Sequence, residues 1–209
     1  SPESIKVAAH AAAKGAEGRV LPQYAESPFA HQASFSLDSK VRFAIWSRAA
    51  AELREKLEEA RAAKSHNAMH YEDGLALILR RGARELYNLH RHDEALVWAK
   101  ECATIARKAA GVKRNESLNS AVAIVAQVHR SRGELDEAEG ALSERLGTGL
   151  ETDDFAFVAA QIASERGDLP EAIRRAQVGV KENPRNDGLK DLLKQLQAQA
   201  NQPSKRAGE

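Results

Sequence analysis

One seven-residue phrase occurs twice in this chain, and it constrains the fold more than any other feature. "RGELDEA" spans residues 132–138 and "RGDLPEA" spans residues 166–172, so the copies lie 34 residues apart. Apolar residues recur at helical spacing on both sides of each copy. Each copy therefore predicts two helices joined by a tight turn. Gly133 and Gly167 supply the left-handed backbone there, and Asp168 with Glu171 forms a predicted capping box for the next helix.

Composition and charge favour the same helical reading and argue against some partners. Alanine is abundant, proline occurs only six times and aromatic residues make up 5% of the chain, which favours helices. Lys and Arg total 31 against 30 for Asp and Glu, so direct nucleic-acid binding is not expected. The longest apolar run, over 121–128, is too short to span a bilayer, and we predict no membrane span.

A third copy of the helix pair lies upstream, in "LILRRGARELYNLHRHDEALVWAKECA". Ala83 and Ala95 take the positions of small residues in the other copies, and His90 replaces the turn glycine. From Ala95 to Ala138 the distance is 43 residues, nine more than one period of 34. We expect the extra residues to lengthen the helices on either side of the intervening loop.

The period and the small residues together resemble the tetratricopeptide repeat (TPR) family. Its eighth and twentieth positions are small and a proline closes the unit. The matching residues here are Ala126 and Ala160, Ala138 and Ala172, and Pro184. The longer upstream unit resembles the kinesin-light-chain variety. The resemblance implies an all-α fold of antiparallel helix-pair repeats stacked as a short TPR-like solenoid with a C-terminal capping helix.

Five segments follow from this reading. They are an N-terminal extension over 1–38, partly loop or disordered with a short helix over 3–14; a long helix over 39–66 that packs on the repeats; three repeats over 71–184; a capping helix over 185–200; and a disordered tail over 201–209. The chain begins at Ser1 and its only methionine is Met69. We therefore expect a processed chain or a piece of a larger protein.

Residues that could carry catalysis or hold a metal are few. The single cysteine, Cys102, excludes an internal disulfide and a cysteine-based zinc cluster. His66 and His70 are four residues apart and share a helix face, but no third ligand is evident, which favours a solvated helix start. No phosphate loop or nucleophile motif occurs in the sequence. We predict no catalytic residue, no cofactor and no metal, and hence no enzyme.

The TPR resemblance also implies a binding surface, because the first helix of each unit lines the concave side in that family. Carried over position by position, it implies a groove containing Arg80, Arg84, Tyr87, Asn88, Gln127, Arg130, Phe157 and Gln161, with Ser120 and Ala123 at further positions of the second unit. Arginine forks and amides suit an extended or helical peptide with acidic groups. The arginines are expected to be exposed and to contribute nothing to folding. A charged face that is simply solvated remains the alternative.

The sequence thus predicts a non-catalytic module that binds a peptide or protein segment in the groove of TPR-like repeats. One alternative is a regulatory sensor domain of a larger transcriptional or signalling protein. Another is a periplasmic or secretion-assembly scaffold that gained Ser1 by signal cleavage. We expect a cytoplasmic location for the first reading and a periplasmic one for the scaffold.

Overall fold

The protein is helical throughout the part of the chain that its computed structural model describes, namely residues 38–108, 112–149 and 151–201. Eight helices and no strand occur within these ranges. In chain order the helices are α1 (Ser39–Ala62), α2 (Asn67–Asn88), α3 (His92–Arg107), α4 (Val112–Ser131), α5 (Leu135–Leu142), α6 (Asp153–Glu165), α7 (Leu169–Glu182) and α8 (Asp187–Ala200). The prediction of an all-α fold is confirmed.

Several predicted segments reach the edges of the described residues. The N-terminal extension, apart from Asp38, lies outside them, and so does the tail beyond Asn201. The long helix predicted over 39–66 ends at Ala62, because the chain turns at the next two residues. Helix α8 begins at Asp187, where the side chain of Asn186 accepts a hydrogen bond from the Leu189 amide at 3.1 Å.

The described helices belong to two compact units, one ending at Ile124 and the other beginning at Val125. In the first unit, α1 packs against α2 and α2 packs against α3. In the second unit, α5 and α7 both pack against α6, and α8 packs against α7 and α6. These contacts join helices that are neighbours or near neighbours in sequence. The core is therefore built from local helix pairs.

Four turns in the described chain close with one hydrogen-bond pattern. In each, a left-handed residue donates its N–H to the carbonyl three residues earlier, and the next residue donates to the carbonyl five residues earlier, at 2.8–3.0 Å. This pair of bonds satisfies carbonyls that a helix end leaves without partners. The left-handed residues are Lys64, His90, Gly133 and Gly167, with φ of 51°, 57°, 76° and 82°.

The residue after the left-handed position has nearly the same backbone angles in the hairpins α2–α3, α4–α5 and α6–α7. It ends one turn and precedes the next helix directly, with φ from −88° to −83° and ψ from 63° to 74°. These residues are Arg91, Glu134 and Asp168. The same backbone path therefore reverses the chain although the side chains differ in charge.

Small residues lie where paired helices approach each other most closely. A Cβ on Gly82 would be only 2.2 Å from the Trp98 ring, and one on Gly179 would be 2.8 Å from the Ala156 Cβ. The alanines four residues after the shared turn residue are fully buried in each hairpin; they are Ala95, Ala138 and Ala172. Alanine and glycine therefore allow the antiparallel helices to pack without overfilling the core.

A charge network around Arg175 connects the helices of the second unit. The Arg175 fork donates to both Glu139 carboxylate oxygens at 3.0 and 2.6 Å, to Glu171 at 2.7 Å and to the Ala159 carbonyl at 3.1 Å. Its side chain is only 9% exposed. A buried guanidinium is tolerated when its donors are satisfied in this way. The network thus joins α5, α6 and α7.

Glu171 takes part in this network instead of completing the predicted capping box. The Asp168 side chain accepts from the Glu171 amide at 3.1 Å, as the prediction requires. The Asp168 amide, however, donates to the carbonyl five residues earlier, and the Glu171 carboxylate binds Arg174 and Arg175. Only half of the capping box forms, because the arginines offer the carboxylate charge-assisted bonds.

The turn geometry predicts opposite effects for the same glycine-to-alanine change. Gly133→Ala and Gly167→Ala should each lower the free energy of unfolding by about 1 kcal/mol, because alanine is strained at positive φ. Gly140→Ala is the matched control: Gly140 lies within α5 with nothing near its Cβ position, and this change should raise stability by about 0.5–1 kcal/mol. Urea denaturation measures all three. Equal effects at all three positions would contradict the described turns.

The Arg175 network predicts a dependence of stability on acidity. Hydrogen bonds from Arg174 and Arg175 lower the pKa of Glu171 from its ordinary 4.5 to about 2. Its contribution to stability is therefore present above pH 4.5 and is lost as the pH falls from 4.5 to about 2. Urea denaturation across this interval should show a shallower loss in Glu171→Gln than in wild type. Glu182→Gln, which changes an exposed carboxylate on the same helix, should retain the wild-type slope.

Identical slopes in wild type and Glu171→Gln would show that this carboxylate is not held by the arginines in solution.

Candidate functional site

The eight residues of the predicted groove divide between the two units. Arg80, Arg84, Tyr87 and Asn88 lie on α2 in the first unit. The others lie on α4 and α6 in the second; they are Gln127, Arg130, Phe157 and Gln161. Within α2, the other three residues lie four, seven and eight positions after Arg80, which places all four on one side of the helix.

The α2 arginines are less exposed than the sequence predicts. The Arg80 side chain is 24% exposed, and its Nη1 lies 3.7 Å from Oε2 of Glu116 on α4. Arg84 is half-buried and also has an interaction within the protein. The expectation is wrong because Glu116 of a neighbouring helix lies beside Arg80. The sequence alone does not show how two separate helices are aligned.

The C-terminal end of α2 carries an aromatic contact with the next helix. The rings of Tyr87 and His92 are stacked, with centroids 5.3 Å apart and an interplanar angle of 13°. His92 also lies 6.0 Å from the His90 ring. Asn88, the last residue of the helix, is exposed. This end of α2 therefore presents a stacked aromatic pair beside the exposed side-chain amide of Asn88.

In the second unit the structure brings together two predicted residues that are 31 positions apart. Arg130 Nη1 donates to the Gln161 side-chain carbonyl at 2.8 Å, and Arg130 Nε donates to Glu165 at 2.7 Å. Gln127 is half-buried one turn before Arg130. Arg130 thus bridges α4 and α6, and its guanidinium is already engaged by an amide and a carboxylate.

Other predicted positions on α4 and α6 are less accessible than expected. Phe157 is partly buried and packs against a cluster of buried residues contributed by α6, α7 and α8. Ser120 and Ala123 are buried, with 8% and 1% of their surface exposed. The prediction that Ser120 and Ala123 line an open groove is wrong, because α4 buries more of its circumference than one apolar stripe suggests.

One arginine of the α2 face was not among the predicted groove residues. Arg81 lies four residues after Leu77 and three before Arg84, which places it on the same side of α2. Its guanidinium lies over the ring of Trp46 on α1, 5.1 Å from the centroid. The helical spacing could have identified Arg81, but the sequence alone could not pair it with Trp46.

The residues considered for metal or nucleophilic chemistry do not converge. His66 and His70 are exposed, and the described residues contain no group of three or more His, Cys, Asp or Glu placed to hold a metal. Cys102 is fully buried and donates to the Ala76 carbonyl at 3.2 Å. Burial raises the pKa of its thiol to about 12, which disfavours the reactive thiolate.

A small cavity beside the Arg175 network is a further candidate for a ligand. It is lined mainly by apolar side chains of α6 and α7, with Glu151 and Arg174 at its polar edge. Its volume of about 20 Å³ has room for one water molecule and not for a metabolite or peptide. The α2 face is therefore the more extensive candidate surface.

Comparisons with known proteins do not identify this chain. No model of a protein family matches it, and no curated protein matches it significantly. Within the described residues, no helix is both long enough and apolar enough to cross a membrane.

Proposed function

We propose that this chain is a non-catalytic interaction module whose helix pairs are TPR-like repeats and whose partner is a peptide or protein segment. The pairs α2–α3, α4–α5 and α6–α7 act as the repeats, and α8 acts as the C-terminal cap. The partner binds the exposed face of a first helix. In this proposal the α2 face, with Arg80, Arg84, Tyr87 and Asn88, makes the principal contacts.

The observation that carries the proposal is the recurrence of one turn in these hairpins. The residue before the second helix has the same backbone angles in each pair, within 5° in φ and 11° in ψ. The alanine four residues later is fully buried each time. Such recurrence is typical of repeat proteins, in which a regular framework displays variable side chains on one face for binding.

The chemistry of the α2 face supports a partner with acidic groups. Arginine side chains from adjacent turns offer planar donor forks that match carboxylates, and Tyr87 supplies a partly exposed ring. The Arg80–Glu116 contact is long, at 3.7 Å, and Glu116 is 53% exposed. An ion pair of this kind stabilises the fold weakly, so a partner carboxylate can replace it at low cost.

The proposal predicts that peptides selected on the full chain bind through α2. Short random peptides displayed on phage are selected against the full chain, and the enriched sequences are synthesised with a fluorescent label. The double change Arg80→Ala and Arg84→Ala should weaken their binding at least about tenfold, because arginine contacts at a partly desolvated interface are often hot spots. Fluorescence anisotropy measures the affinity, and circular dichroism checks that the fold is retained.

The matched control removes two arginines from α1 instead. Arg48 is 65% exposed and paired with Glu52, and Arg61 is 40% exposed and paired with Glu58 and Glu72. Arg48→Ala with Arg61→Ala gives the same change in net charge and should leave peptide binding close to wild type. Equal loss in both double variants would indicate a nonspecific charge effect. Failure to enrich any peptide would count against the module itself.

A further inference from the structure

Two arginines of the first unit lie over tryptophan rings, and they differ in one respect. Arg54 lies 5.7 Å from the centroid of Trp98 and also forms a fork with Glu101, with contacts of 2.9 and 2.6 Å. Arg81 lies 5.1 Å from the centroid of Trp46, yet within the described part of the chain it has no hydrogen bond or ion pair to a carboxylate. The guanidinium at Trp98 therefore has a carboxylate partner, whereas the one at Trp46 has none among the described residues.

The environment of Arg81 makes a charge with no carboxylate beside it, among the described residues, energetically costly. Trp46 is only 4% exposed, so the stacked guanidinium has exchanged much of its water for an aromatic ring. Burial lowers the pKa of Arg81, and the adjacent charge of Arg80 lowers it further. A carboxylate placed against a half-desolvated guanidinium gains more than it would in open water, because the local dielectric is lower.

The position of Arg81 on α2 connects it with the proposed binding face. Leu77, Arg81, Arg84 and Asn88 are spaced four, three and four residues apart, so they form one ridge along the helix. Arg81 is half-buried at the side of this ridge that meets α1. A segment lying along α2 would therefore pass directly beside its guanidinium.

We propose that Arg81, seated on Trp46, is the anchor for an aspartate or glutamate side chain of the partner segment. The partner carboxylate takes the place at Arg81 that Glu101 occupies at Arg54. This inference rests on the proposed function, and it adds the chemical class of the partner group and the residue that receives it.

The test uses a labelled synthetic peptide of alternating glutamate and alanine, and the same peptide with glutamine in place of glutamate. Fluorescence anisotropy at low ionic strength should show binding of the glutamate peptide to the full chain and much weaker binding of the glutamine peptide. Arg81→Met retains a long apolar side chain on Trp46 and removes the charge. It should weaken the glutamate peptide at least about tenfold. Arg48→Met, with the same change in net charge on α1, should bind like wild type.

A second measurement separates a binding role from a structural one. If Arg81 serves the partner, Arg81→Met should leave the melting temperature of the free protein unchanged or raise it, because an uncompensated, half-desolvated charge is removed. Arg54→Met should lower the melting temperature, since it leaves Glu101 without its fork. A large drop for Arg81→Met would assign Arg81 to the fold and overturn the proposal.

Three binding results would also overturn it. They are equal binding of the glutamate and glutamine peptides, equal binding by Arg81→Met and Arg48→Met, and no binding of the glutamate peptide to wild type. Preference for a single-stranded oligonucleotide of matched charge, with the same dependence on Arg81, would replace the acidic peptide with a nucleic acid. If phage-selected peptides are neutral and bind α2 without Arg81, this inference fails while the proposed function stands.

Discussion

The left-handed residue at the end of the first helix in each pair is the constraint on which the rest of the structure depends. It reverses the chain within a few residues and uses the freed carbonyls of that helix, so the next helix must run back along it. Two helices held this close need small side chains between them. Buried alanines and the glycines at 82 and 179 meet that need, and large polar side chains are left for the outer faces.

Arginine–carboxylate contacts between neighbouring helices then select one register among the possible packings. Arg42 with Glu85, Arg54 with Glu101 and Arg175 with Glu139 each join residues more than 35 positions apart. The cost of breaking such a pair rises with burial, and the Arg175 side chain is only 9% exposed, against 20% for Arg42 and 40% for Arg54. Against this pattern Arg81 stands out, because it is partly buried without a carboxylate in the described chain. The contact between Arg81 and the Trp46 ring is therefore the position at which we propose that a partner supplies a carboxylate.

The sequence predicts the helices and three of the turns, because Gly133 and Gly167 mark left-handed positions directly and His90 takes the place of the turn glycine in the upstream copy. It does not predict the turn at Lys64, since a non-glycine residue rarely adopts positive φ and nothing in its side chain signals it. Helical spacing groups Arg80, Arg84 and Asn88 on one face of α2. It cannot pair Arg80 with Glu116 or Arg130 with Gln161, because those contacts depend on the offset between separate helices. The partial burial of Phe157 against the cluster of α6, α7 and α8 depends on tertiary packing for the same reason.

We propose that α2 presents the binding surface of an interaction module. Photo-crosslinking tests this directly: a selected peptide that carries a benzophenone group is crosslinked in complex with the full chain, and the adducts are located by mass spectrometry. We predict adducts concentrated on α2 between residues 77 and 88, where the ridge and the aromatic end lie. Adducts confined to α3, or to residues 1–37, would contradict it and move the binding surface elsewhere on the chain.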